Sequence, residues 1–367
     1  MALMRYYLDY NSTHPILPEV LSELTYLINL DVNPSSQHSA GKKALKAVHE
    51  TDKFLLGYFG ADSVYEIIYH SGATEYLNTV FSPANCDGLI YSLCDHSAVH
   101  EIAKSLTKNG VPCLELGHIP AEGMLLDKVK EFCLGKSKVW FNFQWVNNET
   151  GEVLDSEIIS RLKAETNCYV HVDAVQSVGK IFDFNKLNMT ADVFTYSGHK
   201  FGALKGIGFS FVKKDLNLTP FILGGGQQDG KRSGTLNIHG VLSLKAALNG
   251  HDFEREMNEV LALKNKVTDL IAKFKKLSIV TNDSINTICV MHESMRSDAM
   301  LVHFDLQGLD VSTGSACTSG SLKPSLTLQA MGFKEGASQN IRLSFGRSLL
   351  GKEDELLKKL ESVFSRL

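Results

Sequence analysis

A chain of 367 residues with 44% hydrophobic and 21% charged side chains can bury a sizeable core, and its formal net charge of -4 offers no basic face to a polyanion. Disorder and nucleic-acid binding are thereby excluded as the main expectation. No window approaches the roughly 18 apolar residues that a membrane-spanning helix needs, and Met1-Ala2-Leu3-Met4-Arg5-Tyr6-Tyr7 runs into Asp9 without an apolar signal core, so a cytoplasmic enzyme is expected.

The length predicts a large domain over residues 12–251 and a smaller one made of residues 1–11 and 252–367. Cys86, Cys94, Cys113, Cys133, Cys168, Cys289 and Cys317 are scattered with no CxxC pair, which argues against a disulfide framework and a structural metal site. Polar residues stopped by Pro15 make the stretch from Tyr7 an extended arm. The turn-rich Asn33-Pro34-Ser35-Ser36-Gln37-His38 precedes a helix expected from about Gly41, with Ser36 as its cap and His38 left open. A strand over 66–70 then leads through Ser71-Gly72-Ala73-Thr74-Glu75 into a helix over 75–81. This turn would suit a phosphate, although an ordinary helix cap uses the same residues.

Further apolar runs at 88–93, 139–145, 169–172, 193–196 and 207–212, with helices at 99–106 and 156–166, predict an α/β fold with a mostly parallel sheet covered on both faces. Ligands gather beyond the C-terminal ends of such strands. Polar residues stand at those ends: His96, then Asn147-Asn148-Glu149, then Asp173 and Gln176, then Ser197, His199 and Lys200. Each alone reads as a cap or turn; together they define one pocket. In Thr195-Tyr196-Ser197-Gly198-His199-Lys200 a partly desolvated amine would be a Schiff-base nucleophile near neutral pH. Pyridoxal 5'-phosphate needs this set: a lysine for its aldehyde, Asp173 for its ring nitrogen, His96 for its ring face, and a phosphate seat. The loop from Gly224 to Thr235 lacks nucleotide-binding spacing and is expected to cross towards a second subunit.

From Asp252 an amphipathic helix carries Phe253, Met257, Val260, Val267, Ile271 and Phe274. A strand at 287–291, helices at 298–306 and 326–331, a strand at 341–345 and a helix at 353–364 then predict a small α+β domain. Between them Ser312-Thr313-Gly314-Ser315-Ala316-Cys317-Thr318-Ser319-Gly320-Ser321 places one thiol among glycines and hydroxyls, so Cys317 is expected to be exposed and nucleophilic, with Arg342 nearby as a clamp for a substrate carboxylate.

YLDYNSTHP, NPSSQHSAG, SGATE, DHSAV, NNETG, HVDAVQSVGK, YSGHK, GGGQQDGKRSGT, STGSACTSGSLKPS and IRLSFGR occur in this order over nearly the whole chain. The chain thereby resembles the NifS/IscS-type cysteine desulfurases of the class V aminotransferase group. The resemblance implies the fold-type I pyridoxal phosphate architecture and conversion of L-cysteine to L-alanine with a persulfide on Cys317. It implies a phosphate seat of Ala73, Thr74, Ser197 and His199, with Thr235 reaching it from the partner of a homodimer. Asn148 and Gln176 are implied at the ring hydroxyl or the substrate, and His96 as ring stacker and proton carrier. A sulfur-acceptor protein such as an iron–sulfur scaffold is the implied partner; a selenocysteine lyase or another class V enzyme is the alternative. The chain departs from the pattern at His14, at Val32 and at Gln228-Asp229, and it stops at Leu367, which puts the usual scaffold partner in doubt.

Overall fold

The computed structural model describes residues 4–28, 32–61, 63–119, 123–314 and 323–367. In chain order the elements are β1 (Tyr6–Tyr7), α1 (Pro18–Ile28), α2 (Ser39–Tyr58), β2 (Tyr65–His70), α3 (Ala73–Val80), β3 (Gly88–Ser92), α4 (Ser97–Lys108), β4 (Cys113–Leu116), α5 (Gly123–Cys133), β5 (Val139–Gln144), α6 (Glu157–Glu165), β6 (Tyr169–Asp173), β7 (Val193–Ser197), β8 (Gly208–Lys213) and α7 (Ile238–Asn249). Then follow α8 (Phe253–Ile271), β9 (Leu277–Ile279), β10 (Thr287–His292), α9 (Ser297–Leu306), β11 (Leu309–Asp310), α10 (Leu326–Ala330), β12 (Asn340–Ser344) and α11 (Glu353–Phe364).

Strands β2 to β8 form a seven-stranded sheet in the order β2-β8-β7-β6-β5-β3-β4. The β4/β3, β3/β5, β5/β6 and β6/β7 pairs are parallel, and β8 is antiparallel to both β7 and β2. Side chains alternate between the two faces: Leu89, Trp140 and Val193 pack with Tyr76 of α3 and Val99 of α4, whereas Ile90, Phe141 and Phe194 pack with the cluster that includes Leu55 of α2 and Leu244 of α7. Burial on both faces is why these strands read as unbroken apolar runs.

The sequence pattern missed α1, β4, α5, α7, β9 and β11. The edge strand β4 is short and half-exposed, so no apolar run announces it. Helix α7 is buried nearly all round and lacks an apolar stripe, while α1 starts on Pro18 at its first turn. Helix α2 begins at Ser39, and its cap is His38, whose Nδ1 accepts the Gly41 N–H at 3.2 Å; Ser36 is not the cap.

The second sheet runs β12-β10-β9, antiparallel throughout. The arm reaches it through the Ser344 N–H of β12, which donates to the Leu8 carbonyl at 2.8 Å, while β1 pairs in parallel with β11 as a separate two-stranded ribbon. Among the described residues no helix is long and apolar enough to cross a membrane.

A chain of buried polar side chains crosses the large sheet. His171 bonds Asn142 Oδ1 and Thr195 Oγ1, both at 2.8 Å, Thr195 meets Ser210 at 2.9 Å, and Ser210 meets His70 Nε2 at 3.0 Å. Burial pushes the imidazoles down, to about 3 for His171 and about 4 for His70. An unfolded histidine takes up its proton near 6.5, so below that pH the unfolded chain binds more protons. The stability these residues confer is therefore complete above about pH 6.5 and lost as pH falls, by about 1.4 kcal/mol per pH unit for each. His171→Gln is expected to flatten the pH dependence of urea unfolding by about that slope between pH 6.5 and 4. An unchanged slope would show that His171 is not held neutral.

Candidate active site

The apolar strand β7 ends at Ser197, and a 3-10 turn, Gly198–Lys200, follows at once. The turn is overlain by the N-terminal arm. Gly202 has φ 89°, and a Cβ there would come within 2.6 Å of Leu17 and 3.1 Å of His14 Nδ1, so only glycine lets the arm lie this close. The His14 N–H then reaches the His199 carbonyl at 2.8 Å, and the Leu17 N–H the Gly202 carbonyl at 3.0 Å.

Lys200 Nζ donates to the carbonyls of Asn11 at 2.7 Å and Ser12 at 2.9 Å. Burial lowers this amine to about 8; the charge of Arg342 adds to the depression, while Asp173 and Asp9 oppose it. A substantial fraction is therefore free amine near neutrality.

Asp173 ends β6 and is buried. Among the described residues its carboxylate accepts one hydrogen bond, from the Val175 N–H at 3.1 Å. Burial raises its pKa, and His96 and Lys200 pull it back, so the three groups sense one another's charge. His96 caps α4 through Nδ1, which accepts the Ala98 N–H at 3.2 Å. His96 is exposed at the surface, yet the protein around it desolvates the ring enough to lower its pKa, with the charge of Asp173 opposing.

The arm also organises the polar residues. Gln176 Nε2 donates to the Asn11 carbonyl at 2.9 Å, beside Lys200. Asn148 Oδ1 accepts from Gln144 at 3.0 Å, and the Asn148 carbonyl accepts Asn11 Nδ2 at 3.2 Å and Arg342 Nη1 at 2.8 Å. Arg342 is also paired with Asp9 at 2.7 Å, and its Nε is buried with no partner among the described residues.

Helix α3 starts at Ala73 behind Gly72, which supplies no side-chain cap, so Ala73 and Thr74 stand at an uncapped N-terminus. The Ser197 hydroxyl lies 3.8 Å from where a Gly72 Cβ would stand. His199 Nδ1 meets the Thr13 hydroxyl at 3.1 Å, and burial followed by the nearby lysines lowers the ring to about 4. Thr235 is exposed at the end of the glycine-rich loop. Cys317 lies outside the described residues; at the base of its loop, Gly314 packs against Glu149, whose carboxylate accepts the Ser325 hydroxyl at 2.5 Å.

Sequence reasoning missed four residues here. Asn11 and Asp9 were read only as parts of a polar arm, and Lys180 was passed over although it closes the HVDAVQSVGK stretch. Asp95 stands next to His96; burial raises its carboxyl to about 7, against the lowering effect of the Asn142 side chain and the Ser92 N–H, and the charge of Asp173 adds to the rise. A buried-position aspartate beside a predicted site histidine was the available signal.

A profile of the aminotransferase class-V family matches residues 6–354, and the chain belongs to that family. A cysteine desulfurase of Gluconacetobacter diazotrophicus is 32% identical over 375 residues, covering 98% of this chain and 94% of that protein. Among solved structures, a NifS-like protein aligns with TM-score 0.86 at 27% identity, over 99% of this chain and all of the other. The structure described as SspA in complex with cysteine aligns with TM-score 0.76 at 26% identity, over 94% of this chain and 99% of that one. The architecture is the fold-type I arrangement of this group.

The depressed basicity of Lys200 has a direct readout. Acetylation of the full-length protein with acetic anhydride, followed by peptide mass mapping, is expected to give Lys200 a half-maximal labelling pH near 8, against about 10.5 for exposed lysines. A midpoint shared with surface lysines would remove the free-amine argument.

Proposed function

We propose that the chain is a pyridoxal phosphate-dependent cysteine desulfurase, acting as a homodimer and passing sulfur to an acceptor protein. The observation that carries this reading is the pairing of a lysine of lowered basicity with a buried carboxylate at neighbouring strand ends, in a family whose named relatives are cysteine desulfurases.

The residues present fit the cofactor. Asp173 is a buried carboxylate with a single N–H partner, as a protonated ring nitrogen would require. The uncapped start of α3 with the Ser197 hydroxyl beside it suits a phosphate, His199 following two residues later, and Arg342 Nε, without a partner among the described residues, suits a carboxylate. Lys200 would hold the aldehyde carbon, Asp173 the ring nitrogen, His96 the ring face, and Gln176 and Asn148 the ring hydroxyl or the substrate. Thr235 would complete the phosphate seat of the partner subunit. When bound, the group supplies an aldehyde that captures an amine and a ring that accepts electrons from the carbon next to it.

Lys200, as a free amine, takes the Cα proton of cysteine and can return it. Asp173 holds a proton at the ring nitrogen, and His96 carries protons at the solvent-facing side. The Cys317 thiolate attacks the sulfur of the substrate: the substrate C–S bond breaks, an S–S bond forms, and Cys317-SH plus cysteine becomes Cys317-S-SH plus alanine.

Cys317→Ser is expected to keep the cofactor absorbance and its change on adding cysteine, yet release no measurable alanine or persulfide. Lys200→Ala is expected to lose the cofactor adduct that borohydride fixes at residue 200 and to lower alanine formation by at least about a hundredfold. Alanine released by Cys317→Ser at the parent rate would overturn the mechanism. Mixing Lys200→Ala with Thr235→Ala subunits tests the shared site. A mixed dimer carries one site with both lesions and one intact site, so random mixing recovers about a quarter of the parent activity; no recovery would place Thr235 outside the partner's site.

A further inference from the structure

Lys180 ends the turn that follows β6 and is only 5% exposed. Among the described residues its amine has one hydrogen-bond partner, Gln176 Oε1. A lysine so placed is unusual: Lys264, the other deeply buried one, donates to two carbonyls, at Asn282 and Ser284. Burial, reinforced by the charges of Lys200 and Arg342 and opposed by Asp9, pushes Lys180 well below the ordinary lysine range. Lys180 and Lys200 also line one small cavity of about 40 Å³, together with His14, Tyr10, His251, Glu256 and Arg347.

The amide of Gln176 lies between Lys180 and the Asn11 carbonyl. A half-turn about its last bond would exchange oxygen and nitrogen, setting Oε1 against the Asn11 oxygen. The Lys180 amine, donating, keeps Oε1 on its own side, so Nε2 bonds Asn11 O at 2.9 Å. That carbonyl also accepts Lys200 Nζ at 2.7 Å. Three side chains are thus linked in series, Lys180 to Gln176 to Asn11 O to Lys200. An Asn11 oxygen shared with Gln176 has less to give a lysine ammonium than one held by Lys200 alone.

We propose that Lys180 is a positioning residue: by fixing which way round the Gln176 amide sits, it keeps the Asn11 carbonyl shared and so sets how firmly Lys200 is held. The inference rests on the proposed function only for the meaning of Lys200; its geometry stands without it. Without the Lys180 donor nothing fixes the Gln176 amide, its Nε2 bond to Asn11 O is no longer held, that oxygen is left more to Lys200, and the ammonium form of Lys200 gains. The other charges facing Lys200 and Lys180, namely Arg342, Asp173, Asp9, His96 and His199, remain in every variant.

The test is the pH midpoint of Lys200 acetylation in the full-length protein freed of bound cofactor. Lys180→Met is expected to raise the midpoint by about one pH unit, a tenfold fall in labelling at pH 7. Lys180→Gln, which keeps an N–H donor towards Gln176 without a titrating amine, is expected to leave the midpoint at the parent value. Gln176→Met is expected to raise it as Lys180→Met does, and the double variant to shift no further. If Lys180→Met fails to fold, Gln176→Met and Lys180→Gln carry the test. An unmoved midpoint in Gln176→Met, or a shift in Lys180→Gln as large as in the methionine variants, would overturn the proposal. Because no cofactor or cysteine is present, failure to find desulfurase activity leaves this outcome untouched, and the reverse also holds.

Discussion

One carbonyl oxygen, that of Asn11, ties the site together. It accepts both Lys200 and Gln176, while the rest of Asn11 faces the other sheet: its N–H meets Ser344 Oγ at 3.0 Å, Nδ2 meets Thr287 Oγ1 at 2.9 Å, and Oδ1 accepts Asn286 Nδ2 at 3.2 Å. Net, each such bond contributes about 0.5–1.5 kcal/mol, but leaving one buried partner unpaired costs about 1–3 kcal/mol. The arm is therefore held by what it holds. Shifting it by one residue would strand donors on both sheets together, and Gly202 is the reason it can lie against the Lys200 turn at all.

The same constraint decides the charge balance. Arg342 is buried, and Asp9, two residues before Asn11 on the arm, neutralises it at 2.7 Å. Without that pairing the uncompensated guanidinium would depress Lys200 further and bear a heavy desolvation penalty. The pairing also limits what Arg342 has free. Nη1 and Nη2 each commit one N–H, to the Asn148 carbonyl and to Asp9, which leaves the second N–H of each terminal nitrogen and, among the described residues, Nε as donors.

Much of this was legible in the sequence because the parallel sheet writes itself plainly. Apolar runs closed by polar residues marked β3, β5, β6 and β7 to within a residue or two, and the side chains after them, His96, Asn148, Asp173 and Lys200, fall on one side of the sheet because the strands are parallel. The phosphate turn was ambiguous in sequence, since Ser71 and Thr74 are good capping types; the structure shows Gly72 in the cap position with no side-chain bond. What stayed hidden were residues whose meaning comes from a partner far along the chain. Asn11 is 189 positions from Lys200 and Asp9 333 from Arg342, and neither pairing leaves a periodic trace. Lys180 was hidden differently: its partner is local, but only burial separates it from a solvated lysine.

The departure at Gln228-Asp229 shows how a loop can differ from its family and keep its place. Strand β2 is the sheet edge, and the backbone of Tyr69 would otherwise face outward unpaired. Gln228 Oε1 accepts the Tyr69 N–H at 2.7 Å and Gln228 Nε2 donates to the Tyr69 carbonyl at 2.9 Å, so one amide side chain serves as a one-residue strand. A glutamate there would accept the N–H but present a second acceptor to the carbonyl, which is why the amide suits this edge. Both Gln228 and Asp229 adopt positive φ, 51° and 55°, a strained turn that those two bonds help to hold. Four residues on, Arg232 forks onto Glu75 of α3 at 2.8 and 3.1 Å, and its charge helps hold that carboxyl well down, at about 2, against the raising effect of burial. The loop is thus pinned within the chain at the sheet edge and at α3, which leaves Thr235 exposed just beyond the second anchor.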